Sequence, residues 1–161
     1  MDKALISLAE ETAEKLKAAG VRLVIAESCT AGLTSQAMGA TSGSADFFSC
    51  GVVSYTEDAK QRVLGVKAES LAQYTAVSQQ VVSEMAEGIK ALAQEAVGLA
   101  ISGYAGPDDA EDGTPAGTIW FAWSLPNGGV VSERMLFKDE PEQVIVQAAS
   151  HALRRLGELL V

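Results

Sequence analysis

Apolar residues recur along this chain with two periods, and the switching between them outlines a fold. Leu5, Leu8, Thr12 and Leu16 fall at helical spacing, and Gly20 follows as a C-terminal stop. "VRLVIAES", residues 21–28, reads as a buried strand running into "CTAGLTSQAMG", residues 29–39, a helical pattern. "GVVSYT", residues 51–56, is a second strand, with Thr56 placed to cap a helix whose first turn holds Glu57 and Asp58. Val81, Val82, Met85, Ile89 and Leu92 mark a further helix starting near Ser78. "AVGLAISG", residues 96–103, is an apolar strand of the kind buried on both faces. After the loop "YAGPDDAEDGTPAG", the strands "GTIWFAWSL" and "VVSERMLF" are joined by a Pro-Asn-Gly-Gly turn at residues 126–129. Val144, Ala148, Ala152, Leu156 and Leu159 give a closing helix.

Helices alternating with buried strands predict one α/β domain over residues 1–161. Its three layers, α/β/α, enclose a mixed, mainly parallel sheet with an antiparallel hairpin near the C-terminus. No repeat and no interdomain linker interrupts it. In such folds ligands collect at the C-terminal ends of the strands. That brings Glu27 to Thr30, Tyr55 to Lys60 and Ser102 to Pro107 into contention for one cleft.

Composition narrows the function classes. Charged residues make up 20% and apolar residues 48%, which suits a globular chain with a sizeable core. A net charge of −9 opposes sequence-independent binding to nucleic acid, yet leaves room for a small anion held by backbone N–H groups. No apolar run reaches the ~20 residues of a membrane span, and Met1-Asp2-Lys3-Ala4 does not resemble a secretory signal. The expected location is the cytoplasm. Cys29 and Cys50 are too few and too far apart for a zinc site, and His151 is the only histidine. No metal or organic cofactor is expected.

Three stretches carry candidate chemistry. In "AESCTAG", Ser28 and Thr30 stand where a strand enters a helix; they are either anion ligands or simple caps. Cys29 reads as a packing residue, because no histidine lies near to activate it. In "SGSADFFSCGVVSYTEDAK", Tyr55 and Lys60 form either a proton-handling pair or a strand end and a solvated helix face. Ser44 is the hydroxyl such a pair would serve. In "ISGYAGPDDAEDGTPAG" the glycines permit close approach to a ligand. Its acidic run echoes a calcium loop but has Ile119 at the twelfth position, which needs a glutamate.

Taken together, "AESCTAG", "GVVSYTEDAK", "LGV" at 64–66, "AVS" at 76–78, "ISGYAGP" and "PAGTIWFAW" resemble the CinA C-terminal domain family. They arrive in the family's order over roughly residues 5 to 155. The family's stand-alone members include nicotinamide mononucleotide deamidases, so the resemblance implies an amidohydrolase acting on a pyridine nucleotide or related amide, and a homo-oligomer. It also implies a serine nucleophile, with Lys60 taking its proton and Tyr55 assisting transfer to the departing ammonia. Glu27, Ser28, Thr30, Gly32, Ser102, Gly103, Gly106 and Gly117 fall on matching stretches as candidate substrate-binding residues.

The chain departs from the family's pattern where a phosphate would be held. Ala45 stands where the family's serine is expected, with Ser44 one position early. Thr114 replaces a lysine, and Asp109, Glu111 and Asp112 enter the same loop. Asp139-Glu140-Pro141 replaces Gly-Asp-Arg, and Ile145 a further basic position. The alternative expectation is a catalytically silent paralogue that binds a ligand or a protein through the old cleft.

Overall fold

The computed structural model describes every residue from Met1 to Val161. Helix α1 (Lys3–Ala19) starts where the Asp2 carboxylate accepts the Leu5 N–H at 2.9 Å, and it stops at Gly20 in the left-handed conformation. Strand β1 (Leu23–Glu27) is buried throughout. Helix α2 (Leu33–Gly39) and strand β2 (Phe48–Val53) follow, with a short 3-10 turn at Ser44–Asp46 between them. Then come α3 (Glu57–Leu64), α4 (Ala68–Tyr74) and α5 (Gln79–Ala93). Strands β3 (Val97–Tyr104), β4 (Thr118–Ser124) and β5 (Val130–Leu136) precede the closing helix α6 (Pro141–Leu159).

The five strands lie in the order β2-β1-β3-β4-β5. β1 pairs in parallel with β2 and β3, whereas β4 runs antiparallel to both β3 and β5. The architecture is therefore α/β with a mixed sheet, and the antiparallel part is the expected C-terminal hairpin. Alternation along each strand distributes the core. Leu23, Ile25, Leu99, Ile101, Phe121 and Trp123 face a layer formed by α1, α2 and α6. Val24, Ala26, Ala100 and Ala122 face α5 and its neighbours. The alanines on the second face let α5 lie close to the sheet. On the first face the Trp123 indole N–H donates to the Ala152 carbonyl at 3.0 Å, which ties α6 down.

Two expected boundaries move, each for a local reason. The helix expected from Cys29 begins at Leu33, because Ala31 and Gly32 take positive φ values of 48° and 100° and turn the chain first. The second strand lies three residues earlier than expected. It ends at Val53, and the carbonyls of Ser54 and Tyr55 bond to Lys60 instead of continuing a ladder. Helix α4 was not expected; it buries only Ser70 and Leu71 and leaves a weak apolar signature. No helix is long and apolar enough to cross a membrane.

This topology decides where a site can form. The parallel strands β2, β1 and β3 all end at one edge of the sheet. Because β4 runs back and β5 forward again, the 105–117 loop and the start of α6 arrive at that same edge.

Candidate active site

A cleft of about 510 Å³ opens at that edge. It is lined by Ser28 after β1, Tyr55, Thr56, Glu57 and Lys60 around the start of α3, and Ser102 to Gly106 at the end of β3. Ala76 and Val77 before α5, and Pro141 and Ile145 of α6, complete it. Five separate chain segments thus converge on one hollow.

Its floor is a serine and a lysine in contact. Thr56 accepts the Ala59 N–H at 3.1 Å and so starts α3 in the register that turns Lys60 inward. Lys60 is only 1% exposed, and its Nζ lies 2.9 Å from Ser28 Oγ, 2.8 Å from the Ser54 carbonyl and 3.2 Å from the Tyr55 carbonyl. No carboxylate pairs with it. Burial pushes its pKa below the ordinary lysine value, against a weaker opposite pull from Cys29 and Glu57. A neutral amine has two N–H donors and one lone pair. The two carbonyls match the donors, and the lone pair is then left for the Ser28 hydroxyl proton. The same burial pushes the neighbouring Cys29 thiol up to about 12, so it remains protonated and poorly nucleophilic at neutral pH.

Glu27 holds the loop that presents Ser28. Its carboxylate, fully buried, accepts the Thr30 hydroxyl at 2.7 Å and the Thr34 and Ser35 amides at 2.9 Å each. It thereby fills the start of α2, where the sequence left open an external anion or a simple cap. Within the loop the Cys29 and Thr30 amides donate to no backbone oxygen, and the acceptor beside them is the weakly accepting Cys29 sulfur.

The candidates separate accordingly. Ser28, Tyr55, Lys60, Ser102, Gly103 and Gly106 line the cleft; Glu27, Thr30, Gly32, Gly117 and Ser44 do not. Tyr55 offers Lys60 its carbonyl, while its side chain is 64% exposed at the mouth. The Ser102 hydroxyl donates to the Ala76 carbonyl at 2.8 Å, which fixes the Val77 wall. A side chain at Gly103 would run into Ile119 and the Thr118 carbonyl, and one at Gly117 into the Phe137 carbonyl, so close backbone packing selects both glycines. Ser44 stands before β2, at the opposite edge of the sheet. A six-residue strand at ~3.3 Å per residue separates it from the Lys60 end by roughly 20 Å. Ala45 shares that location. Within one chain neither position reaches Lys60.

The remaining histidine belongs elsewhere. His151 stacks edge-on against Phe121 and lies 3.0 Å from Glu133, which also accepts from Arg155. No group of three or more His, Cys, Asp or Glu is placed to hold a metal ion.

Against known proteins, the model of the CinA C-terminal domain matches residues 5–160. The chain is 39% identical over 157 residues to the nicotinamide-nucleotide amidohydrolase PncC of Escherichia coli K12, covering 98% of this chain and 95% of that protein. It is 41% identical over 155 residues to the protein YdeJ of the same organism, covering 96% and 90%. The crystal structure of a CinA superfamily protein from Klebsiella pneumoniae superposes with a TM-score of 0.95 at 46% identity, covering 97% of each chain.

Proposed function

The chain belongs to the CinA C-terminal domain family, and within it we propose an amidohydrolase that cleaves a small carboxamide, with Ser28 as nucleophile and Lys60 as its base. The observation that carries this reading is the contact between Lys60 Nζ and Ser28 Oγ, 2.9 Å long and shielded from water. A buried amine without a carboxylate partner costs stability. A protein that only bound a ligand would gain nothing from placing that amine beside a serine hydroxyl.

Neutral Lys60 takes the Ser28 proton as Oγ bonds to the carboxamide carbon, and the carbonyl electron pair moves onto oxygen. The Cys29 and Thr30 amides, which follow Ser28 and donate to no backbone oxygen, are the donors for that oxyanion. Collapse of the intermediate breaks the C–N bond. The Lys60 ammonium returns its proton to the leaving nitrogen, and ammonia departs from an acyl-Ser28. Water, deprotonated by Lys60, then releases the carboxylate product and restores the serine. Tyr55 acts as a positioning residue through the carbonyl that orients Lys60. The amidohydrolase named among the relatives makes a pyridine carboxamide the first substrate class to test.

Ammonia release from nicotinamide mononucleotide, nicotinamide riboside, nicotinamide and simple aliphatic amides tests the reading directly. Silence across the whole panel would sink it in favour of the binding protein.

The lowered Lys60 pKa adds a pH signature. The neutral form is the active one, so kcat should rise with pH and level off above an inflection below the ordinary lysine value of ~10.4. Stability should move in the same direction. Between the folded and unfolded pKa values the unfolded chain binds more protons, so unfolding free energy rises with pH across that window. Denaturation midpoints of the wild type and Lys60→Met from pH 7 to 10 check this. The wild type should gain relative to the variant as pH rises, and parallel curves would contradict the depressed pKa.

A further inference from the structure

We propose that the cleft selects an uncharged or cationic carboxamide, such as a pyridinium ribonucleoside, and rejects its 5′-phosphorylated counterpart. This rests on the cleft being the substrate site proposed above, and it names the substrate class of that site. Lys60 is the only basic side chain lining the cleft, and as the base it must be neutral when substrate binds. Glu57 is the only acidic one. Beyond the reacting end, therefore, the lining offers no cation to a phosphate.

Further carboxylates stand on the segments that bring Pro141, Gly106 and Glu57 to the cleft. The start of α6 points its first residues at the cleft, and a helix start ordinarily attracts anions. Here Pro141 at the first position has no N–H, and the Asp139 carboxylate already accepts the Glu140 amide at 2.8 Å. Glu140 and Glu142 add negative charge at that helix end, against the single neighbouring Lys138. The 105–117 loop, which meets Pro141 beside Gly106, repeats the arrangement. Asp109 accepts the Ala116 amide and Asp112 the Thr114 amide, each at 2.9 Å. The Thr114 amide holds the Asp112 carboxyl below its ordinary value, so it stays ionised at neutral pH. At the start of α3, Glu57 and Asp58 occupy the first turn.

Amides beside the reacting end, those of Cys29 and Thr30 and of Ala105 and Gly106 at the end of β3, donate to no backbone oxygen and suit a carbonyl oxygen. Those of Thr56 and Glu57 at the start of α3 are equally unbonded, but the Glu57 and Asp58 carboxylates stand in that same turn and oppose a second anion there. The exposed rings of Tyr55 and Tyr104 at the mouth, with the Glu57 carboxylate, favour a pyridinium cation instead. A doubly charged phosphate facing these carboxylates is repelled by each, and the repulsion adds.

The test compares nicotinamide riboside with nicotinamide mononucleotide on the full-length chain. The riboside should have kcat/KM higher by roughly tenfold or more, with the gap narrowing as salt screens the rim. Reversing two rim charges that touch no reacting atom, Glu140→Lys with Glu142→Lys, should raise kcat/KM for the mononucleotide by roughly tenfold and leave the riboside nearly unchanged. Equal or better turnover of the mononucleotide by the wild type overturns the proposal, as does a charge reversal that shifts nothing. Calorimetry on Ser28→Ala separates the two readings. If no amide is hydrolysed by the wild type yet the riboside binds more tightly than the mononucleotide, the selectivity stands and the hydrolase reading falls. If neither compound binds at millimolar concentration, the selectivity falls.

Discussion

Ser28→Ala should lower ammonia release from the preferred amide by about 10³-fold or more, while Ser44→Ala leaves it within about twofold. The contrast follows from position. Ser28 Oγ is in contact with a buried amine, whereas Ser44 sits before β2 at the far edge of the sheet. The substitution removes one oxygen from the cleft floor and leaves Lys60 with its two carbonyl partners, so the fold should be retained. Circular dichroism and the denaturation midpoint verify that. For the same reason Ala45→Ser should add no activity. A Ser28→Ala protein that keeps more than about a tenth of wild-type kcat would exclude Ser28 as the nucleophile. Loss of activity in Ser44→Ala with a native midpoint would return the role to the segment before β2, and would require that segment to reach the cleft of another chain.

Glu27→Ala should cost about 3–5 kcal/mol of stability, a large share of the 5–15 kcal/mol typical of a domain. The carboxylate is fully buried and accepts from Thr30, Thr34 and Ser35, and its removal strands two amides and a hydroxyl in the interior. Glu27→Gln is the sharper experiment, because it preserves shape. One oxygen accepts from Thr30 and Thr34 and the other from Ser35. A glutamine must therefore set an NH₂ group against an N–H or O–H donor, and should still cost about 1–3 kcal/mol. Both variants should also lose activity, since the loop they loosen carries Ser28. Urea denaturation measures the first effect and ammonia release the second. A Glu27→Gln midpoint matching the wild type would mean that the carboxylate is not what holds the loop.

Much of this was legible in the residue pattern, for reasons that particular positions make clear. Strands β1, β3 and β4 read well because they are dense apolar runs, buried along nearly their whole length. Thr56, Ser78 and Gly20 read well because capping is a local interaction. The motifs nominated Ser28, Tyr55, Lys60 and the end of β3, and these line one cleft. The partner of Lys60 was not legible. Sequence proximity favours Ser44 or Ala45 as the serine position, but a strand lies between them and the lysine, and length along a strand is distance in space. Ser28 is far from Lys60 in sequence yet beside it in space, because β1 and β2 are parallel neighbours ending at one edge. Glu27, a candidate substrate-binding residue by resemblance, commits its carboxylate to Thr30, Thr34 and Ser35 and does not line the cleft. A carboxylate beside a helix start reads as a ligand contact until its own hydrogen bonds are seen.

The convergence of chain segments at one sheet edge has a consequence for how the protein comes to exist. β1 pairs with β3 across everything between them, with Leu23 opposite Val97, so the central parallel ladder waits until α5 has been synthesised. The cleft waits longer still, since Pro141 and Ile145 form its last wall. An emerging chain can bring Ser28 and Lys60 together early, through β1, β2 and α3, but it cannot enclose them. Until α6 docks the hollow lacks that wall, so the site is complete only when the C-terminal helix has folded.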